Sequence, residues 1–192
     1  MSQFIKVKQL TSDTELKGKS IITDGNGKFV YDYHIPKGIE FPSNPLSGDT
    51  YYRTDVDELF YYDSSRTKWL SVKKIGFSCG RNIVDSTTIA YMYVGNAVQS
   101  SSSGFKMPYN GTILSVSIQN TTIATIDRIL DIRVNNSTVN RIQLTVTNGN
   151  YGASLIDGNL DFSSDDLVQC VLLSGGDTYN DVIVLIEIAR RI

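Results

Sequence analysis

Along residues 75–192, apolar and polar positions alternate in short runs separated by turn residues. Ile142, Leu144 and Val146 alternate with Gln143, Thr145 and Thr147, and Asn135-Asn136 parts this run from the one before it. Alternation puts every second side chain on one face of a strand, and an Asn pair suits a turn with positive φ. The same pattern predicts strands over 113–118, entered by Pro108-Tyr109-Asn110-Gly111, over 166–173, ending at Ser174-Gly175-Gly176, and over 181–189. Helical periodicity is weak. Ile123, Ile126, Leu130 and Val134 match a 3.6-residue period, but Leu130, Ile132 and Val134 also alternate with Asp131 and Arg133. β-Branched residues favour a strand over 129–134 and leave 121–128 undecided. Short strands with turn punctuation predict an all-β chain whose main body is an antiparallel sandwich or barrel.

Two of these strands are apolar on both faces. Val182, Val184, Ile186 and Ile188 share one side, with Ile183 and Leu185 on the other; Val168, Cys170 and Leu172 oppose Leu167, Val171 and Leu173. An antiparallel sandwich normally wets one face of each sheet. The second face is therefore expected to be covered, either inside one domain or by a partner chain. On the second reading, Ile183, Leu185, Leu167, Val171 and Leu173 are the candidate oligomer interface.

A different pattern fills 49–74. Thr50–Arg53, Glu58–Tyr62 and Lys68–Val72 read as three strands joined by tight turns, a compact meander carrying Tyr51, Tyr52, Phe60, Tyr61, Tyr62 and Trp69. A three-stranded ribbon cannot bury six aromatics alone. They must pack on a neighbour or present rings to a ligand such as a sugar. Nucleic acid is excluded on charge, because Asp49, Asp55, Asp57, Glu58 and Asp63 surround the rings. Upstream, Pro36, Pro42 and Pro45 mark a connector over 36–48, and Asp24-Gly25-Asn26-Gly27 predicts a hairpin turn between 20–23 and 28–33. The organisation expected is thus an N-terminal segment (1–35), a connector (36–48), the meander (49–74) and a β-sandwich (75–192).

Composition sharpens this division. The 192 residues sum to a net charge of −2, but nine of the ten lysines precede Ile75. The front is basic by one charge and the sandwich acidic by three, so a nucleic-acid-coating role is excluded. No stretch approaches the roughly 20 apolar residues of a membrane span, and residues 1–19 carry lysines without the apolar centre of a secretory leader.

The string Pro-Ser-Asn-Pro-Leu-Ser-Gly-Asp-Thr-Tyr-Tyr-Arg-Thr-Asp-Val-Asp-Glu-Leu-Phe-Tyr-Tyr-Asp (42–63), ending in Lys68-Trp69-Leu70, resembles a recurrent module of tailed-bacteriophage fibre and virion proteins. Pro42, Pro45, Gly48, Asp49, Tyr51, Tyr52, Thr54, Leu59, Tyr62, Asp63 and Trp69 carry the resemblance; Ser64 departs from the glycine common there. Gly104-Phe105-Lys106-Met107-Pro108 followed by Asn110-Gly111-Thr112-Ile113, then Leu160-Asp161-Phe162-Ser163 and the run Val184–Arg190, resembles a jelly roll of the tumour-necrosis-factor/C1q type, with Asp165 where that family has Gly. The resemblance implies a homotrimer, with residues 1–35 attaching to capsid or tail and the jelly roll facing outward on the virion after assembly in the host cytoplasm. It further implies host-surface glycans as partners, with 100–104, 148–152 and 175–180 as exposed loops.

Motifs for catalysis are missing: there is no nucleophile elbow, P-loop, His-Glu-x-x-His or Cys-x-x-Cys. A glycosidase needs two carboxylates across a cleft, and the vicinal pair Asp165-Asp166 is one that any sequence with 20 acids offers by chance. The single His34 precedes Pro36 and reads as a polar junction residue. Cys79 and Cys170 both sit in apolar strands and read as buried free thiols, with a disulfide expected only if their strands pair. Sequons at Asn110, Asn120 and Asn136 are chance matches in a Ser/Thr-rich β chain. The expectation is a non-enzymatic virion protein without cofactor or metal, a trimeric head fibre or capsid-decoration fibre. The alternatives are a short tail fibre or receptor-binding protein, a secreted lectin-like module and a glycan hydrolase.

Overall fold

The computed structural model describes residues 19–23, 29–33, 35–84, 88–175 and 178–192, and every regular element among them is a β-strand. β1 (Lys19–Thr23) and β2 (Phe29–Tyr33) form an antiparallel hairpin in register from Lys19↔Tyr33 to Thr23↔Phe29. The Asp24–Gly27 turn, His34 and residues 1–18 lie outside the described residues.

The aromatic meander is a four-stranded sheet in the order β3 (Lys37–Gly38), β4 (Thr50–Arg53), β5 (Glu58–Asp63), β6 (Lys68–Ser71). The two hairpin turns close through Asp57 and Thr67, both in the left-handed region (φ 54° and 56°), as tight connections between twisted strands require. β3 pairs parallel with β4, so part of the proline-rich connector is a strand of this sheet.

The remainder is two sheets around one core. The larger has the order β10 (Ala97–Val98), β9 (Tyr93–Val94), β7 (Lys74–Val84), β18 (Tyr179–Arg190), β12 (Gly111–Gln119), β15 (Gly152–Leu155), with β16 (Leu160–Phe162) also on β12. The smaller runs β11 (Phe105–Lys106), β17 (Leu167–Leu172), β13 (Arg128–Val134), β14 (Arg141–Val146), with β8 (Ala90–Tyr91) also on β17. Val182, Val184, Ile186 and Ile188 of β18 meet Leu130, Ile132, Val134, Val168, Cys170 and Leu172 in the shared core. Each such side chain contributes about 1.5–3 kcal/mol by leaving water. This is the layered arrangement of a β-sandwich, with strand positions close to those the alternation predicts.

Two expectations resolve here. Of the ambiguous stretch 121–128, Arg128 opens β13, while 121–127 has no regular structure; there Ile123 and Ile126 are exposed and only Ala124 is buried, so the helical spacing reflects no packed face. Asn135 and Asn136 both take positive φ (51° and 57°) in the β13–β14 connection, as the Asn pair predicts.

Candidate interaction surfaces

The outer face of the larger sheet is built from the residues that alternate with its core positions. In register, Gly80, Ser78 and Gly76 of β7 flank Ile183, Leu185 and Glu187 of β18, and Gln119, Ser117 and Ser115 of β12 flank them on the other side. The result is an apolar ridge between two shallow troughs. Ile183 and Leu185 keep 58% and 51% of their surface exposed. Gly80 is required by close approach, since a Cβ there would collide with the Val182 carbonyl. The only charge on this strip is Glu187 at one end, and Lys74 neutralises it at 3.2 Å.

Where the strip meets the β9–β10 hairpin, it opens into a groove of about 710 Å3 bordered by Ser78, Gly80, Arg81, Asn82, Tyr93 and Ile183. The Arg81 guanidinium lies 5.4 Å from the Tyr93 ring centroid, and its Nη1 donates to the Tyr91 carbonyl at 3.0 Å. The groove thus combines a cation, a half-exposed ring and amide and hydroxyl groups, with no carboxylate on its walls.

The other three residues of the expected interface lie elsewhere, on the outer side of the smaller sheet, so the five do not form one surface. Val171 is a correction: it is fully buried within the chain, beside Tyr91 and Asp131 in register, and has no surface to offer a partner. Leu167 and Leu173 are half-buried. What covers this side is polar. Asp131, fully buried, accepts from Arg133 Nη2 and Arg141 Nη1, each at 2.8 Å, and from Gln143 Nε2 at 2.9 Å. Arg133 Nη1 and Tyr91 Oη both donate to Asn136 Oδ1, at 3.2 and 2.9 Å, while the Asn136 amide donates to Gln169 Oε1 at 2.9 Å. Alternation placed Asp131 and Arg133 outward, where solvation is the ordinary expectation. That the outward charges close over one another is a contact between strands, invisible in one strand's pattern.

The aromatic residues are packed. Trp69 stacks on Phe41 of the connector with centroids 4.7 Å apart and planes 3° from parallel, and Tyr51 and Tyr62 approach Trp69 at 6.1 and 5.5 Å. Phe60 is fully buried against Phe41 at 5.4 Å, and Arg53 caps the other side of Phe41 at 4.7 Å. Tyr61 faces the opposite way, onto Leu70, Leu114 and Ala189 at the junction with the sandwich. Tyr52 hydrogen-bonds Asp57 across its own hairpin. Phe41, a connector residue, is the ring that completes the cluster; its place just before Pro42 carries no periodic signal.

No family model and no curated protein matches this sequence. Solved structures with similarity include the PRD1 vertex protein P5, at 12% identity and TM-score 0.40 over 79% of this chain and 86% of that one. Another is an exo-β-1,3-galactanase from Phanerochaete chrysosporium solved with galactose, at 13% identity and TM-score 0.32 over 67% and 32%. At these scores the likenesses leave the function to be argued from this chain's own residues.

Proposed function

We propose that this chain is a non-enzymatic structural protein of a phage particle, one protomer of a homotrimeric head fibre or capsid-decorating fibre. The observation that carries this reading is the outer strip of the larger sheet. More than half of Ile183 and of Leu185 is exposed in a single chain, between troughs of Gly and Ser that let another backbone approach closely. An exposed apolar ridge on a flat sheet with one neutralised charge suits permanent association between copies. The pairing of β7-β18-β12-β15 against β8-β17-β13-β14 supports the jelly roll of the tumour-necrosis-factor/C1q type that the sequence resembles.

In this reading the meander is a rigid collar below the sandwich, and residues 1–35, most of which lie outside the described residues, attach the fibre to the particle. Host-surface glycans are met by the largely exposed loops 100–104 and 148–152. Light scattering on the purified chain tests the assembly: three times 21.3 kDa is expected, and a clean monomer at micromolar concentration overturns it. Removing residues 1–35 should leave the folded trimer but abolish incorporation into particles.

A further inference from the structure

The β13–β14 turn, the β16–β17 turn and the C-terminal residues border a recess of about 390 Å3. That lies toward the lower end of the roughly 300–1,000 Å3 typical of small-molecule sites. The chain's own hydrogen bonds hold its walls. Asn135 Nδ2 donates to Asp166 Oδ1 and the Ser163 amide to Asp166 Oδ2, each at 2.7 Å. Ser137 Oγ accepts from the Val139 and Asn140 amides at 3.3 and 3.1 Å. Other groups on the same walls keep free capacity. Arg191 Nε is buried and makes no hydrogen bond, with Asp161 Oδ1 too far away at 3.7 Å. A buried donor without an acceptor is costly, which calls for one to be supplied. Lys68 and Thr112 both donate to Asp161 Oδ1, so Oδ2 remains an acceptor. Among the described residues, the Asn140 carboxamide and the Ser163 hydroxyl have no partner, and the Ser137 hydroxyl proton has no acceptor. Charge narrows the occupant. Asp161 and Asp166 disfavour an anion, while Arg191 and the Lys68 on Asp161 disfavour a cation. What fits is a neutral molecule that donates and accepts at neighbouring atoms, as adjacent hydroxyls do.

We propose that this recess binds a neutral sugar residue through adjacent hydroxyl groups. One hydroxyl donates to Asp161 Oδ2 and accepts from Arg191 Nε; its neighbour is served by the Asn140 carboxamide and the Ser137 and Ser163 hydroxyls. Because Asp166, Asn135 and Ser137 are already fixed by bonds within the chain, the walls need little ordering when the sugar enters. No residue of the recess belongs to the Ile183–Leu185 ridge or to loops 100–104 and 148–152. The inference therefore goes beyond the proposed function and does not depend on the assembly of copies, although several copies on one particle would add avidity to a weak site.

The test is saturation-transfer difference NMR on the intact chain with the methyl glycosides of galactose, glucose, mannose and N-acetylglucosamine. A saturable signal from at least one of the four is expected, with a Kd in the millimolar range for so small a ligand. Asn140→Ala should weaken it roughly 3- to 10-fold, as loss of one neutral hydrogen bond does, and Arg191→Met should weaken it further. Asn140 is exposed on a turn, so Asn140→Ala should keep the native circular dichroism spectrum and decides alone if Arg191→Met fails to fold. Ile183→Asp with Leu185→Asp should leave the signal unchanged, which separates this site from the assembly reading. The absence of a saturable signal from all four glycosides overturns the proposal. A signal unchanged in Asn140→Ala, or lost in the folded ridge variant, places the sugar elsewhere and overturns it too. Displacement of the glycoside by phosphate or by calcium would make the recess an ion site, with the same consequence.

Discussion

Lys68 of the meander reaches Asp161 of the sandwich, Nζ to Oδ1 at 2.7 Å, and thereby joins two parts of the chain that the composition divides. Thr112 Oγ1 donates to the same Asp161 oxygen at 2.6 Å. Nearby, Arg66 Nε donates to the Gly158 carbonyl at 2.7 Å, and the Arg190 amide donates to Ser71 Oγ at 2.9 Å. Leu70, fully buried with Leu114 and Ala189, supplies the apolar part of the junction. Meander and sandwich are therefore expected to unfold together. Trp69 is the only tryptophan, so its fluorescence should report the meander while far-ultraviolet circular dichroism reports mainly the sandwich. Coincident urea transitions are expected, and Leu70→Ala should cost about 2–4 kcal/mol and bring the fluorescence transition forward.

Asp161 also sets a pH dependence. Burial pushes its carboxyl up, but hydrogen bonds from Lys68 and Thr112, with the charges of Arg191 and Lys68, outweigh this and hold it below the ordinary 3.8. A carboxylate with a depressed folded pKa adds stability that is complete above its unfolded value and is lost as pH falls through the folded one. The chain should thus lose stability progressively below about pH 4. Asp161→Asn should flatten that acid limb while lowering stability at pH 7, as read from urea midpoints across the range.

The buried cluster on the smaller sheet is sensitive in one direction. Asp131→Ala would leave the nearly buried Arg133 and the partly exposed Arg141 facing each other with no counter-charge. Removing one partner of a buried ion pair typically costs about 3–5 kcal/mol. Chemical denaturation should show a loss of that order, well beyond that for Lys106→Ala, whose pair with Asp165 is mostly exposed.

The ridge on the larger sheet makes the opposite prediction. Ile183→Asp with Leu185→Asp should convert the assembly to monomers by light scattering while leaving the circular dichroism spectrum intact, because both side chains are outside the core. Retention of the trimer would place the interface on another surface.

Phe41→Ala should remove the flat partner of Trp69 and leave Phe60 against a void. Trp69 emission should shift to longer wavelength in the folded state, and stability should fall by about 2–4 kcal/mol, toward the lower end of buried aromatic truncations because the Trp69 side of the stack is only partly buried.

Much of the architecture was legible along the chain. The alternation in 142–147, the Asn135-Asn136 turn and the tight turns at Asp57 and Thr67 each act over a few residues, where pleat geometry and backbone sterics decide. Val182, Val184, Ile186 and Ile188 could be assigned to the core by period alone. Which outward face stays open was not legible, because the second side of β18 and the second side of β17 read alike as apolar. Only the packing of strands distant in sequence separates them: β18 lies between the small side chains of β7 and β12, which leave Ile183 and Leu185 bare, while β17 lies beside Tyr91, Asp131 and Arg133, which close over Val171. The same reason governs Cys79 and Cys170. Their apolar surroundings predicted burial, but that both enter one core from opposite sheets depends on how the two sheets are superposed, a relation between strands that no local pattern encodes.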